Sequence, residues 1–155
     1  MSAYTGLADI SGSMLIHAQP EKVSEHWEFF APILGRSLPH YIGASPERMA
    51  MLLNAILVEH IQVWVYDSGD GVSYVVTTTT FHEPVLGTPS LLIYTLSAVS
   101  DIRKDHWADG FETLKEFAKA RKMHSIVAYS SDERLVAYAN KIGARTNTTF
   151  IEFSI

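Results

Sequence analysis

The stretch "EFAKARKMHSIVAYSSDERLVAYANKIGA", residues 116–144, decides how this chain is read. Its first eight residues close a helix that opens near Asp105, with Phe111, Leu114 and Ala118 on one face and Lys115, Lys119 and Lys122 elsewhere. "SIVAY" (125–129) reads as a short strand. "SSDERLVAYANKIGA" then opens on a capping box, with Ser130 at the cap and Glu133 three residues on, and Gly143 is a helix-ending C′ residue. Beyond it, "TNTTFIEFSI" (146–155) sets Ile151, Phe153 and Ile155 against Glu152 and Ser154, the period of a final antiparallel strand.

Upstream, "MLIHA" (14–18) is a candidate first strand and Pro20 opens a helix. Val23, Trp27, Phe30 and Leu34 share its buried face, and Gly35 is a stop. In "SPERMAMLLNAILVEH" (45–60), Ser45 is an N-cap, Pro46 suits the first helical position, and Met49, Leu52, Leu53 and Ile56 form the inward stripe. "HIQVWVYDSGDGVSYVVTTTTFH" (60–82) is an antiparallel hairpin turning on "SGDG", in which the threonines 77–80 simply suit a strand. A Pro/Gly-punctuated loop leads to "LLIYTLSAV" (91–99), a strand buried on both faces and near the sheet centre. The order β-α-α-β-β-β-α-β-α-β predicts an α+β, three-layer fold: a mixed, mostly antiparallel central sheet with helices on both faces.

The 155 residues, 47% hydrophobic and 19% charged, fit a single domain over 1–155. A net charge of −5 without any long run of Lys or Arg predicts no nucleic-acid partner. The absence of cysteine removes thiolate catalysis and Cys-ligated zinc. The start, "MSAYTGLADISGSM", has neither the basic nor the apolar region of a secretory signal. The longest apolar run, "MAMLLNAILV" (49–58), is about half a membrane span, so a soluble protein with no membrane partner is expected. Whether the first dozen residues are ordered is left open. The seven histidines show no metal-ligand spacing, so no metal is expected, and no Gly-x-Ser-x-Gly elbow surrounds Ser11, Ser13 or Ser90.

The element order, with "EFAKARKM", "SIVAY", "DERLVAYANKIGA" and a last strand, resembles the GNAT family, the GCN5-related N-acetyltransferases. Lys141, Ile142 and Gly143 match the end of its "N-x-x-A-x-x-L-Y-x-K-x-G-F" sentence. The resemblance implies a pyrophosphate loop, Arg/Gln-x-x-Gly-x-Gly/Ala, at the start of the helix after the central strand. It also implies a Tyr four residues before the final Gly, able to protonate the thiolate of CoA. With Ala118 aligned to the family's helix-closing alanine, the second glycine falls on Trp107, whose ring would fill the phosphate space. The Tyr position holds Ala139, and the Asn, Ala and Phe positions hold Asp132, Leu135 and Ala144.

The chain is also similar to short GNAT-like proteins of tailed bacteriophages that lack the CoA loop, on "QVWV", "VVTTTT", "LLIY" and "IGA". That resemblance implies a protein without acetyl transfer and without a cofactor. It would act through a protein partner or as a homo-oligomer, as a phage virion or assembly component, in the host cytoplasm or the particle. Trp27 and Phe30 share a buried face; Phe29, if exposed with Ile33, would offer a packing surface for another subunit.

The alternative is an acetyl-CoA-dependent N-acetyltransferase with a divergent cofactor loop. There the N–H groups of Trp107, Ala108, Asp109, Gly110 and Phe111 hold the cofactor, His82 or Glu83 deprotonates the amine, and Tyr94 or Tyr138 protonates the thiolate. His82 and Glu83 also suit an ordinary polar strand end, and Tyr94 and Tyr129, which could line an opening between their strands, also suit a core. A regulator holding a small ligand in the same cleft lies between these readings.

Overall fold

The computed structural model describes residues 14–130 and 132–155, so the expectations on Ser11, Ser13 and the first dozen residues lie outside it. The order is β1 (Leu15–Ala18), α1 (Pro20–Glu25), α2 (Trp27–Gly35), α3 (Pro46–Leu57), β2 (Ile61–Asp67), β3 (Val72–Phe81), β4 (Ser90–Ala98), α4 (Lys104–Ala120), β5 (Ile126–Ala128) and α5 (Glu133–Lys141). The five strands lie in chain order, antiparallel from β1 to β4, with β5 parallel to β4. A parallel neighbour needs a crossover, and α4 supplies it.

Alternation along the strands builds a core on each face. Val63 and Val65 of β2 face the α1–α3 side with Val23, Phe30, Leu34, Leu52 and Ile56. Trp64 and Tyr66 face the other side with Tyr74, Val76 and Leu91, packed against Leu114 and Ala118 of α4. The mixed sheet with helices on both faces is therefore present, and the "LLIYTLSAV" strand lies between β3 and β5 with most of its residues buried.

Local chemistry explains most element ends. The Ser45 hydroxyl accepts the Arg48 N–H at 3.2 Å and opens α3 before Pro46. The β2–β3 turn uses Gly69 and Gly71 at positive φ, and Asp67 Oδ1 accepts the Gly69 N–H at 2.8 Å. Gly143 at φ 94 follows α5, with the Ala144 N–H reaching the Ala139 carbonyl at 3.0 Å.

Four expectations need correction. The helix from Pro20 to Gly35 is two helices, because His26 takes φ −111 and ψ 32, outside the helical region. The cap of α5 is Asp132, whose carboxylate accepts the Arg134 N–H at 2.9 Å; Ser130 instead accepts the Asp132 N–H at 3.1 Å. Residues 146–155 form no strand, and Phe150, Ile151 and Phe153 are exposed. Alternation specifies which residues share a face; it does not specify an edge with which to pair. Finally, Phe29 is half-buried with its ring 5.2 Å from that of Phe30, and Ile33 is buried, so the two make no exposed packing surface.

Candidate active site between β4 and β5

Strand β4 carries an irregularity that nothing in its spacing marks. Thr78 of β3 pairs with Ile93 while Thr77 pairs with Thr95, so Tyr94 is the extra residue of a β-bulge on β4. The buried Thr77 hydroxyl sustains it: Thr77 Oγ1 accepts the Thr95 N–H at 3.1 Å and lies 2.6 Å from Thr95 Oγ1. On the other side, β4 and β5 pair only from Leu91↔Ile126 to Ile93↔Ala128. The Tyr129 N–H still approaches the Ile93 carbonyl at 3.4 Å; beyond that point no further pairing joins the two strands, at the level of the bulge. Tyr94 and Tyr129 flank the opening, their rings 6.4 Å apart.

Past the end of β4 stands the N-terminus of α4, a helix of 17 residues whose N-cap, Arg103, makes no side-chain cap hydrogen bond. Its cap position has no side-chain oxygen to accept an N–H, so the first-turn N–H groups of Lys104 and His106 lack an intrahelical partner and form the positive end of the dipole, while the Asp105 N–H meets its own carboxylate. Arg103 forms a two-pronged ion pair with Asp105, both contacts at 3.1 Å.

This start corrects the expected cofactor cradle. The Trp107 N–H is already spent on the Arg103 carbonyl at 3.0 Å, so residues 107–111 lie within the helix. The Trp107 ring packs inward, 5.8 Å from Tyr74 and 6.0 Å from Phe111, and does not fill a phosphate space. Ala108 is exposed on the helix surface, Asp109 Oδ2 accepts the Met14 N–H at 3.4 Å, and Gly110 is buried against Tyr74. Counted from the actual helix start, Arg/Gln-x-x-Gly-x-Gly/Ala falls on Arg103, His106 and Ala108, matching at its first and last positions. At the middle one, the His106 ring lies 5.2 Å from Tyr66, folded back on the core. The Arg103 guanidinium and the helix start fit a pyrophosphate, with Asp105 as the acidic residue of the first turn opposing it.

The remaining expected residues are not brought together. Phe81 pairs with Ser90, which places His82 and Glu83 past the opposite end of β4, four residues or about 13 Å along the strand from Tyr94. Glu83 there accepts the Val85 N–H at 3.2 Å. Tyr138 lies on α5, a helix with no buried residue. In place of these, Tyr41 and Phe150 join the opening: the Phe150 ring lies 5.0 Å from Tyr41 and 5.5 Å from Tyr129. Burial pushes the Tyr94 hydroxyl above its ordinary value, and the Tyr41 and Tyr129 hydroxyls push it the same way. Burial and Tyr129 likewise raise Tyr41.

Beside Tyr94, a cleft of about 180 Å³ lies between the sheet and α3, with Leu38, Ile42, Leu52 and Ile61 among its walls. No group of three or more His, Asp or Glu that could hold a metal occurs among the described residues. No helix among them is long and apolar enough to cross a membrane.

No family model matches this chain, and no curated protein matches it in sequence. Solved structures do match. An aminoglycoside acetyltransferase, HMB0005, from an uncultured soil metagenomic sample superposes with a TM-score of 0.67 at 19% identity, covering 91% of this chain and 97% of that one. AAC(6')-Iy in complex with the bisubstrate analogue CoA-S-monomethyl-acetylneamine gives a TM-score of 0.66 at 11% identity, over 91% and 96%. A predicted acetyltransferase with acetyl-CoA from Clostridium acetobutylicum gives 0.62 at 15% identity, over 90% and 94%.

These findings overturn two expectations. A non-catalytic phage component acting only through protein contacts is not what the fold points to, because the structures it matches are acetyltransferases. The expectation of no cofactor fails likewise, since two of the matches hold acetyl-CoA or a CoA analogue. Both rested on Trp107 and Ala139 standing where the family has Gly and Tyr, and Trp107 came there by aligning Ala118 with the family's helix-closing alanine rather than by counting from the helix start at Lys104. The chain has the fold of the GCN5-related N-acetyltransferases.

Proposed function

We propose that this protein is an acetyl-CoA-dependent N-acyltransferase. The observation that carries the reading is the parting of β4 from β5 at the Tyr94 bulge, directly before the uncapped N-terminus of α4. Parted strands leave edge N–H and C=O groups for an extended chain to pair with, and a helix start offers N–H groups and a dipole to phosphate. An elongated ligand with a diphosphate in it uses both.

In this reading the N–H groups of Lys104 and His106, with the Arg103 guanidinium, hold the pyrophosphate. Acetyl-CoA supplies an activated thioester, and transfer forms an amide bond to the acceptor nitrogen while the thioester C–S bond breaks. Tyr94, whose ring stands at the opening beside Tyr129, carries the hydroxyl placed there to give a proton to the departing thiolate. The amine proton leaves to water, because His82 and Glu83 stand at the far end of β4, and water returns a proton to Tyr94.

Calorimetric titration of the purified protein with CoA and acetyl-CoA tests the proposal. Saturable binding that Arg103→Glu abolishes is expected, followed by acetyl transfer to an amine. Absence of heat up to millimolar cofactor would overturn it.

A further inference from the structure

The cleft beside Tyr94 has a definite chemical character. Leu38, Ile42, Leu52 and Ile61 give it apolar walls, and its one charged lining residue is Arg48. The Arg48 guanidinium takes part in no ion pair among the described residues. No carboxylate lines the cleft. At about 180 Å³ this half-open cleft lies below the roughly 300–1,000 Å³ of ordinary small-molecule pockets, so it has room for a side chain rather than a ring system.

We infer that the cleft takes a small amine bearing a carboxylate on an apolar frame, the chemistry of a free apolar amino acid. The carboxylate pairs with Arg48 at the rim, the side chain fills the apolar walls, and the amine points to Tyr94. Its role as acyl acceptor rests on the transferase reading. A polycationic amine such as neamine is disfavoured, because Arg48 would face its charges and no acid in the cleft answers them.

The test measures binding to the full chain without cofactor, by calorimetry or NMR, using L-leucine, L-leucinamide and neamine as probes. L-leucine is expected to bind about fivefold more tightly than leucinamide, the fold-change one exposed ion pair can supply. Arg48→Met should bring leucine to the leucinamide level while leaving leucinamide within about twofold, and Arg48→Lys should restore part of the preference. Arg48 is exposed, so neither variant threatens the fold. Equal binding of leucine and leucinamide, no leucine binding at millimolar concentration, or tighter binding of neamine would overturn the inference. The two proposals fail separately. Leucine binding in a protein that ignores CoA would support the ligand class and remove the acceptor role, whereas acetyl transfer to neamine and not leucine would keep the transferase and overturn the ligand class.

Discussion

A Cβ on Gly110 would overlap the Tyr74 hydroxyl oxygen and lie 3.3 Å from its Cζ, so α4 rests on β3 through the absence of a side chain. Tyr74 cannot yield cheaply: it is fully buried and its hydroxyl donates to the His106 carbonyl at 3.0 Å. Gly110→Ala gains helix propensity of up to about 1 kcal/mol. It meets an overpacking cost of about 1–3 kcal/mol, so net destabilisation is expected in urea unfolding. Tyr74→Phe removes the overlapping oxygen, and Gly110→Ala should cost less in that background. Additive costs in the double-variant cycle would show that the two residues do not meet.

The Thr77 hydroxyl is expected to position the bulge. Thr77→Val keeps the shape and leaves the buried Thr95 N–H without its side-chain acceptor, at about 1–3 kcal/mol of stability. If Tyr94 acts at the opening, the same variant lowers acetyl transfer between about tenfold and a hundredfold through misplacement. Thr77→Ser, which retains the oxygen, should recover most of the rate. A rate loss in Thr77→Ser equal to that of Thr77→Val would assign the effect to packing instead.

What was legible, and what was not, follows from which signals are local. The alternation of Val63 and Val65 with Trp64 and Tyr66 fixed the faces of β2, and Ser45 and Gly143 marked real helix ends. The start of α4 was legible to within a residue of Lys104, but Arg103 at its cap is no Ser or Asp, and nothing there tied the phosphate-loop pattern to that start. Gly110 therefore read as one of the cofactor-holding N–H groups when it is a packing glycine within the helix. The Tyr94 bulge was equally silent: a strand buried on both faces has no alternation for an extra residue to interrupt. Its only trace is a threonine at position 77, which looks like ordinary strand composition.

Asp105 is the one acidic group in the first turn of α4, where it both occupies Arg103 and opposes a phosphate. Asp105→Asn keeps its shape and removes that charge. CoA affinity is expected to rise about two- to fivefold at low ionic strength, the range of a single charge at a helix end. The gain should shrink with added salt. Arg103→Gln should change affinity in the opposite direction. Unchanged affinity in both variants would place the pyrophosphate elsewhere.

Tyr66 and Tyr74 stack with their rings 4.8 Å apart beneath α4. Burial first, then the Asp109 carboxylate and its hydrogen bond, push the Tyr66 hydroxyl from 10.0 up to about 12; burial and Tyr66 raise Tyr74 as well. A tyrosine whose pKa is raised by folding holds its proton more tightly in the native state than in the unfolded one. Its contribution to stability is intact below pH 10 and is lost as pH rises through about 12. Urea midpoints should therefore fall steeply across that window. Tyr66→Phe removes one of the two groups and should flatten the fall, while ultraviolet titration of the native protein shows the tyrosinate signal of the pair appearing last. An unchanged slope in Tyr66→Phe would mean that the Tyr66 hydroxyl ionises as freely in the folded chain as in the unfolded one, and that Asp109 does not reach it.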